Sequence, residues 1–164
     1  MSILVVRHGL SHANNRAAIT TPVFSAEQAP LMAGGRAQAR IMGKFLIDTY
    51  HLLPSDTPVA TSTLLRAQQT AVTAGFTDIQ PYAQLDEVPH GMPLPELRAL
   101  LDNGRLPKIA LQQAEQTLAH PPKESVWITH GLRIAALCAL LDVHQDERPI
   151  PHFCEVRELP INTR

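Results

Sequence analysis

Apolar residues fall along this chain in two patterns, short unbroken runs and longer stretches at helical spacing. Ile3-Leu4-Val5-Val6 is an unbroken aliphatic run bounded by Gly9, which predicts a strand buried on both faces inside a parallel sheet. Ser125-Val126-Trp127-Ile128-Thr129 is a second such run, and it passes through His130-Gly131 into a helical stretch over Leu132–Leu141. From Gly35 to Tyr50, Ala37, Ile41 and Phe45 stand four residues apart among Arg36, Arg40, Lys44 and Asp48, which predicts an amphipathic helix with those three on its apolar stripe. Pro58–Ser62 reads as a strand leading into a helix over Leu64–Ala74, with Gly75 as its stop. Ile79–Tyr82 is a further short strand. Val88–Pro95, with three prolines and Gly91, predicts an irregular loop, and a short helix opens over Pro95–Leu101. Gln112–His120 is helical up to the Pro121-Pro122 break, and Cys154–Leu159 alternates as a last, edge strand. Strands alternating with helices imply an α/β layered domain, and both His-Gly pairs then fall at the carboxyl ends of strands, where such sheets gather ligands.

Composition narrows the reading. At 164 residues and 45% hydrophobic content, the expectation is one globular domain over residues 1–164. Lys and Arg (14) nearly balance Asp and Glu (15) and form no basic block, so no nucleic-acid partner is expected and any pull on an anion must be local. Cys138 and Cys154 lack a CxxC spacing, which argues against a disulfide framework or a zinc site and fits a reducing cytoplasm. The N-terminus has neither the basic region nor the apolar length of a secretory signal, and no run approaches the roughly 18 apolar residues of a membrane span. His8 and His12 stand four apart, but Gly9 in a strand-to-helix turn is a poor support for a helical ligand pair and no HExxH accompanies it. Neither a metal nor a cofactor is expected.

The candidate chemistry follows from Arg7-His8-Gly9. A phosphoryl group carries close to two negative charges and oxygens suited to forked donors, so arginine is its expected partner. A neutral imidazole attacks phosphorus directly if neighbours hold its tautomer and neutralise the equatorial oxygens. Gly9 would admit a close backbone approach. His8 alone reads as a satisfied or solvent-facing turn histidine; the second strand-end histidine, His130, shifts the balance towards a site.

Arg7-His8-Gly9-Leu10-Ser11-His12-Ala13-Asn14 resembles the opening signature of the histidine phosphatase superfamily, the phosphoglycerate mutase-like fold. Pro30-Leu31-Met32-Ala33-Gly34-Gly35-Arg36-Ala37-Gln38-Ala39 is similar to that family's Pro-Leu-Thr-x-x-Gly-x-x-Gln-Ala segment. Ser62-Thr63-Leu64-Leu65-Arg66-Ala67-Gln68-Gln69-Thr70-Ala71 resembles the segment with the second phosphate-binding arginine. Leu85-Asp86-Glu87 before Gly91 resembles the acid-bearing segment, and Ile128-Thr129-His130-Gly131 the one with the second histidine.

The resemblance implies a three-layer αβα sandwich with a mostly parallel central sheet. It implies a phosphomonoesterase working through a phosphohistidine on His8, with Glu87 as general acid and base and His130 as the second catalytic histidine. Arg7, Arg66, Asn14, Gly9 and Gly131 would form the phosphate pocket, with Asp86 or His90 as alternatives for the acid. Two departures bear on substrate. Leu10 stands where many members carry Glu or Asp, and the span from Glu87 to His130 is short, implying a small lid. A small lid admits bulky substrates, including phosphoproteins, and favours hydrolysis over the phosphoglycerate mutase type of transfer, which must keep water away. A phosphohistidine or phosphoprotein phosphatase is the other alternative. A module that only bound phosphate would not need both the nucleophile and the acid.

Overall fold

In the computed structural model, which describes residues 2–14, 25 and 27–163, the first aliphatic run is strand β1 (Ile3–Arg7). It lies between β4 (Val126–Thr129), to which it is parallel, and β5 (Val156–Leu159), to which it is antiparallel. Beyond β4 come β2 (Val59–Thr61) and β3 (Ile79–Pro81), both parallel, giving the order β3-β2-β4-β1-β5. The sheet is therefore mixed, with its antiparallel member at one edge. A parallel β5 would need a crossover on one face. Instead residues 142–155 run back up without a helix, Cys154 N–H bonds Arg7 O (2.9 Å), and β5 descends beside β1.

Both faces of the inner strands are covered, which is why their sequences are apolar without interruption. Leu4, Val6, Val59, Val126 and Ile128 pack under helices α1 (Ala33–Tyr50) and α2 (Leu65–Ala74). Ile3, Val5, Ala60 and Trp127 face the other way, beneath α4 (Lys108–Ala119) and α5 (Gly131–Leu141). The result is the expected αβα layering. Helix α3 (Leu94–Asp102) follows the proline-rich loop and buries no residue.

Two sequence expectations need correction. The stripe Ala37-Ile41-Phe45 does not face the core: Ile41 is 71% exposed and Phe45 43%. The buried face of α1 is Gly35, Ala39, Met42, Gly43 and Leu46. Its glycines explain this, because a Cβ on Gly35 would overlap the carbonyl of Leu10 and one on Gly43 the carbonyl of Ala74, so the helix docks by backbone contact on its small-residue side. Helix α4 begins at Lys108, four residues before the predicted Gln112, because Pro107 occupies the N-cap and presets its entry. Gly75, at φ 106°, closes α2 as expected.

Candidate active site

Strand alternation sends consecutive residues at the end of β1 in opposite directions. His8 continues the ladder, its N–H bonding Thr129 O (3.0 Å), and its ring turns towards α2. The next peptide is held by the same helix: Gly9 N–H bonds Thr70 Oγ1 (3.0 Å), whose hydroxyl donates to Arg66 O (2.7 Å). The His8 ring is 2% exposed, with Nδ1 2.7 Å from Gly9 O. A carbonyl only accepts, so Nδ1 carries the proton and Nε2 keeps its lone pair. That lone pair faces Arg66 Nε at 3.4 Å. Burial, then the charges of Arg66 and Arg7, lower the His8 pKa to about 3, against the pull of the Gly9 carbonyl. His8 is thus a neutral imidazole with its free nitrogen in a cationic pocket.

Arg7 leaves the strand on the α5 side. Its Nη1 donates to Pro151 O (2.8 Å), and its guanidinium carbon stacks 3.9 Å from the Phe153 ring centre. It passes over Gly131, where a Cβ would lie 3.1 Å from Arg7 Nε and 2.7 Å from Ile150 Cγ2. Gly131 therefore makes room for the arginine, and Gly9 makes room for the carbonyl oxygen of Gly35, from which a Cβ would lie only 2.7 Å. Arg7 Nε is buried with no hydrogen-bond partner among the described residues.

His130 sits at the end of β4 as the N-cap residue of α5. Its ring lies edge-on to His8 with centroids 5.0 Å apart, and Nε2 is 2.9 Å from Ser62 Oγ. Burial, with His8, Arg66, Arg133 and Arg7 adding to it, holds its pKa well below the usual histidine range. Glu87 Oε2 lies 3.4 Å from His130 Nδ1 and 3.9 Å from Arg66 Nη2. Although 41% of its side-chain surface still meets solvent, desolvation raises the Glu87 pKa against the opposing pull of Arg66, the Val88 N–H, Arg7 and His90.

The structure separates Glu87 from its neighbour. The Asp86 carboxylate accepts from Ser62 Oγ (2.9 Å), Thr63 N–H (2.7 Å) and Thr63 Oγ1 (2.8 Å), tying the β2–α2 turn. Of the two carboxyl groups, that of Glu87 is the one in contact with the histidine and arginine cluster. His90 Nδ1 accepts from Met92 N–H (3.0 Å) at the rim. Asn14 accepts from Ser11 N–H (3.2 Å) and Ser11 Oγ (2.8 Å), a local turn contact. Among the described residues no group of His, Cys, Asp and Glu is arranged to hold a metal ion.

Three residues enter the site unannounced by sequence. Phe153 arrives through the pairing of β5 with β1, and its loop position carried no local signal. Ser62 opens the segment bearing Arg66, and its contact with His130 depends on β2 lying beside β4. Arg133, 3% exposed, donates to Asp86 O (2.8 Å) and Gln113 Oε1 (2.7 Å). Together the cluster brings two guanidinium groups, two neutral imidazoles and one carboxyl group around one pocket.

Residues 3–97 match the sequence model of the histidine phosphatase superfamily, branch 1, a span that holds Arg7, His8, Arg66 and Glu87 and stops before His130. Similar solved structures include TTHB049 from Thermus thermophilus, at 22% identity and a TM-score of 0.66, covering 98% of this chain and 94% of that one. The protein histidine phosphatase SixA complexed with tungstate is similar at 18% identity and TM-score 0.59, over 99% of this chain and 90% of that one. The open reading frame Rv3214 from Mycobacterium tuberculosis is similar at 17% identity and TM-score 0.62, over 96% and 89%. These likenesses are of fold. No curated protein sequence matches the chain significantly.

Proposed function

The chain belongs to the histidine phosphatase superfamily, and from that premise we propose that it is a phosphomonoesterase that carries the phosphoryl group on His8. The observation behind this is the state of His8: buried, neutral, with Nδ1–H spent on Gly9 O and the Nε2 lone pair directed at Arg66.

Arg7 and Arg66 receive the phosphoryl oxygens. His8 Nε2 attacks phosphorus, the N–P bond forms, and the ester P–O bond breaks with its electron pair leaving on oxygen. Glu87, whose raised pKa favours the acid, supplies the proton to that oxygen. In the second half a water attacks phosphorus, its proton passes to the Glu87 carboxylate, and His8 Nε2 regains its lone pair as the N–P bond breaks. His130 flanks the same phosphoryl position. Gly9 and Gly131 shape the pocket through the backbone approaches they allow, and Asn14 shapes the adjoining turn.

Residues 1–164 act as one catalytic domain in this reading, since the site draws on β1, α2, the Glu87 loop and the end of β4. Hydrolysis is favoured over a mutase reaction by the open face at Glu87 and by α3, none of whose residues is buried. The same openness, with the fold likeness to SixA, supports a phosphohistidine or other phosphoprotein as substrate. No helix among the described residues is long and apolar enough to cross a membrane. The free thiols Cys138 and Cys154 fit the cytoplasm.

His8→Ala should abolish release of phosphate from p-nitrophenyl phosphate and from a panel of phosphorylated metabolites and phosphopeptides. Quenched turnover of labelled substrate should leave label on His8. Label on a serine or cysteine, or full activity in the variant, would remove the mechanism.

A further inference from the structure

We propose that Asp86 and Ser62 are positioning residues that fix the His130 proton on Nε2, so that its Nδ1 lone pair faces Glu87 and a single proton serves the Glu87–His130 pair. The proposal deepens the acid role assigned to Glu87 and rests on that reading only for its catalytic consequence.

The placement follows from counting hydrogens. A serine hydroxyl has one hydrogen and two lone pairs. Ser62 Oγ has three neighbours: Asp86 Oδ1 at 2.9 Å, Leu64 N–H at 3.1 Å and His130 Nε2 at 2.9 Å. Asp86 Oδ1, already the target of Thr63 N–H and Thr63 Oγ1, is an acceptor, so it takes the serine hydrogen. Leu64 N–H can only donate, which uses one lone pair. The remaining lone pair must receive a hydrogen from His130 Nε2.

His130 is fully buried, and burial together with the neighbouring His8, Arg66, Arg133 and Arg7 opposes a second ring proton, with Glu87 at Nδ1 the one facing group that would favour it. With its one proton on Nε2, Nδ1 is bare. That nitrogen finds no hydrogen-bond partner among the described residues, and Glu87 Oε2 is 3.4 Å away. Lone pair and carboxylate repel; lone pair and carboxylic acid attract. The other tautomer, Nδ1–H, would donate to Glu87 and hold it ionised. Asp86 therefore acts on Glu87 through two intermediaries, biasing it towards the acid that the first half-reaction consumes. The opposing groups at Glu87 are Arg66, Arg7, His90 and the Val88 N–H, all of which favour the carboxylate. After the acid has given its proton to the leaving oxygen, the carboxylate again faces a lone pair, and the proton taken from attacking water restores the pair.

The tautomer can be read by ¹⁵N NMR of the histidine ring nitrogens in the intact protein, with the His130 signals identified by their absence in His130→Gln. Wild type should show protonated Nε2 and bare Nδ1. Ser62→Ala and Asp86→Asn should move the proton to Nδ1 in at least part of the population, and Ser62→Thr should restore Nε2–H. In the two disrupting variants the alkaline limb of phenyl phosphate hydrolysis should shift down by about one pH unit. Nδ1–H in wild type, or Nε2–H persisting in both disrupting variants, would overturn the proposal. The wild-type spectrum needs neither a variant nor turnover. Bare Nδ1 in a protein without phosphatase activity would defeat the functional reading alone, and Nδ1–H in an active phosphatase would defeat this inference alone.

Discussion

A histidine attacks phosphorus only through the nitrogen that lacks a proton, so the fixed Gly9 carbonyl matters as much to His8 as the arginines beside it. With its pKa lowered to about 3, His8 is neutral throughout the ordinary working range and does not set the acid limb of the rate profile. That limb should follow the substrate instead, as the monoester loses its second charge below about pH 6. In the proposed mechanism Glu87 sets the opposite limb. Its pKa is raised, and as pH climbs through that value the acid form is lost and departure of a poor leaving group slows. Glu87→Gln should thus lower kcat by about 10² to 10⁴ with phenyl phosphate, and by much less with p-nitrophenyl phosphate, whose leaving group needs little protonation. Comparison of kcat for the two esters checks this. Equal losses would move the acid role to His90, because the Asp86 carboxylate is committed to Ser62 and Thr63.

At the scale of elements, the site depends on how closely α1 approaches the loop after β1. Gly35 sits against the Leu10 carbonyl, and Gly9 against Gly35. Leu10 N–H also bonds Gln38 Oε1 (3.0 Å), so the helix fixes the turn that follows His8. Gly35→Ala should force that backbone apart and cost about 1–3 kcal/mol of stability, with loss of turnover. Gly34→Ala, whose Cβ would meet only the Leu10 side chain at 3.8 Å, should be neutral or gain up to about 1 kcal/mol from helix propensity. Denaturant unfolding of the two variants distinguishes them. This pair also shows what sequence makes legible. The strands were readable because inner strands covered on both faces are apolar at every position. The docking face of α1 was not, because Gly35, Ala39 and Gly43 pack through backbone and count for little as hydrophobic residues. The carboxyl pair Asp86-Glu87 was readable, but which of the two meets the histidine and arginine cluster only from the side chains, and Phe153 only from the pairing of β5 with β1.

For the whole molecule, a site that keeps two histidines neutral links its electrostatics to folding. The unfolded chain protonates both rings near pH 6.5, whereas the native pKa of His8 is about 3 and that of His130 is also far below normal. A depressed native pKa means the unfolded state binds more protons as pH falls, so native stability is present above pH 6.5 and declines from there towards pH 3. Glu87 runs the other way: its raised native pKa contributes stability at low pH that is lost as pH rises through it. Its side chain is 41% exposed, so the two buried rings dominate. Stability measured by denaturant unfolding should therefore drop by a few kcal/mol between pH 7 and pH 4, and His8→Asn should flatten that dependence by removing one of the two titrating rings. Carboxylates tied elsewhere, such as Glu155 on Arg157, are common to both proteins and cancel in the comparison. A slope unchanged in His8→Asn would mean that the native protein protonates His8 as readily as the unfolded chain does, and the ring could not then be the neutral nucleophile its contacts with Gly9 and Arg66 describe.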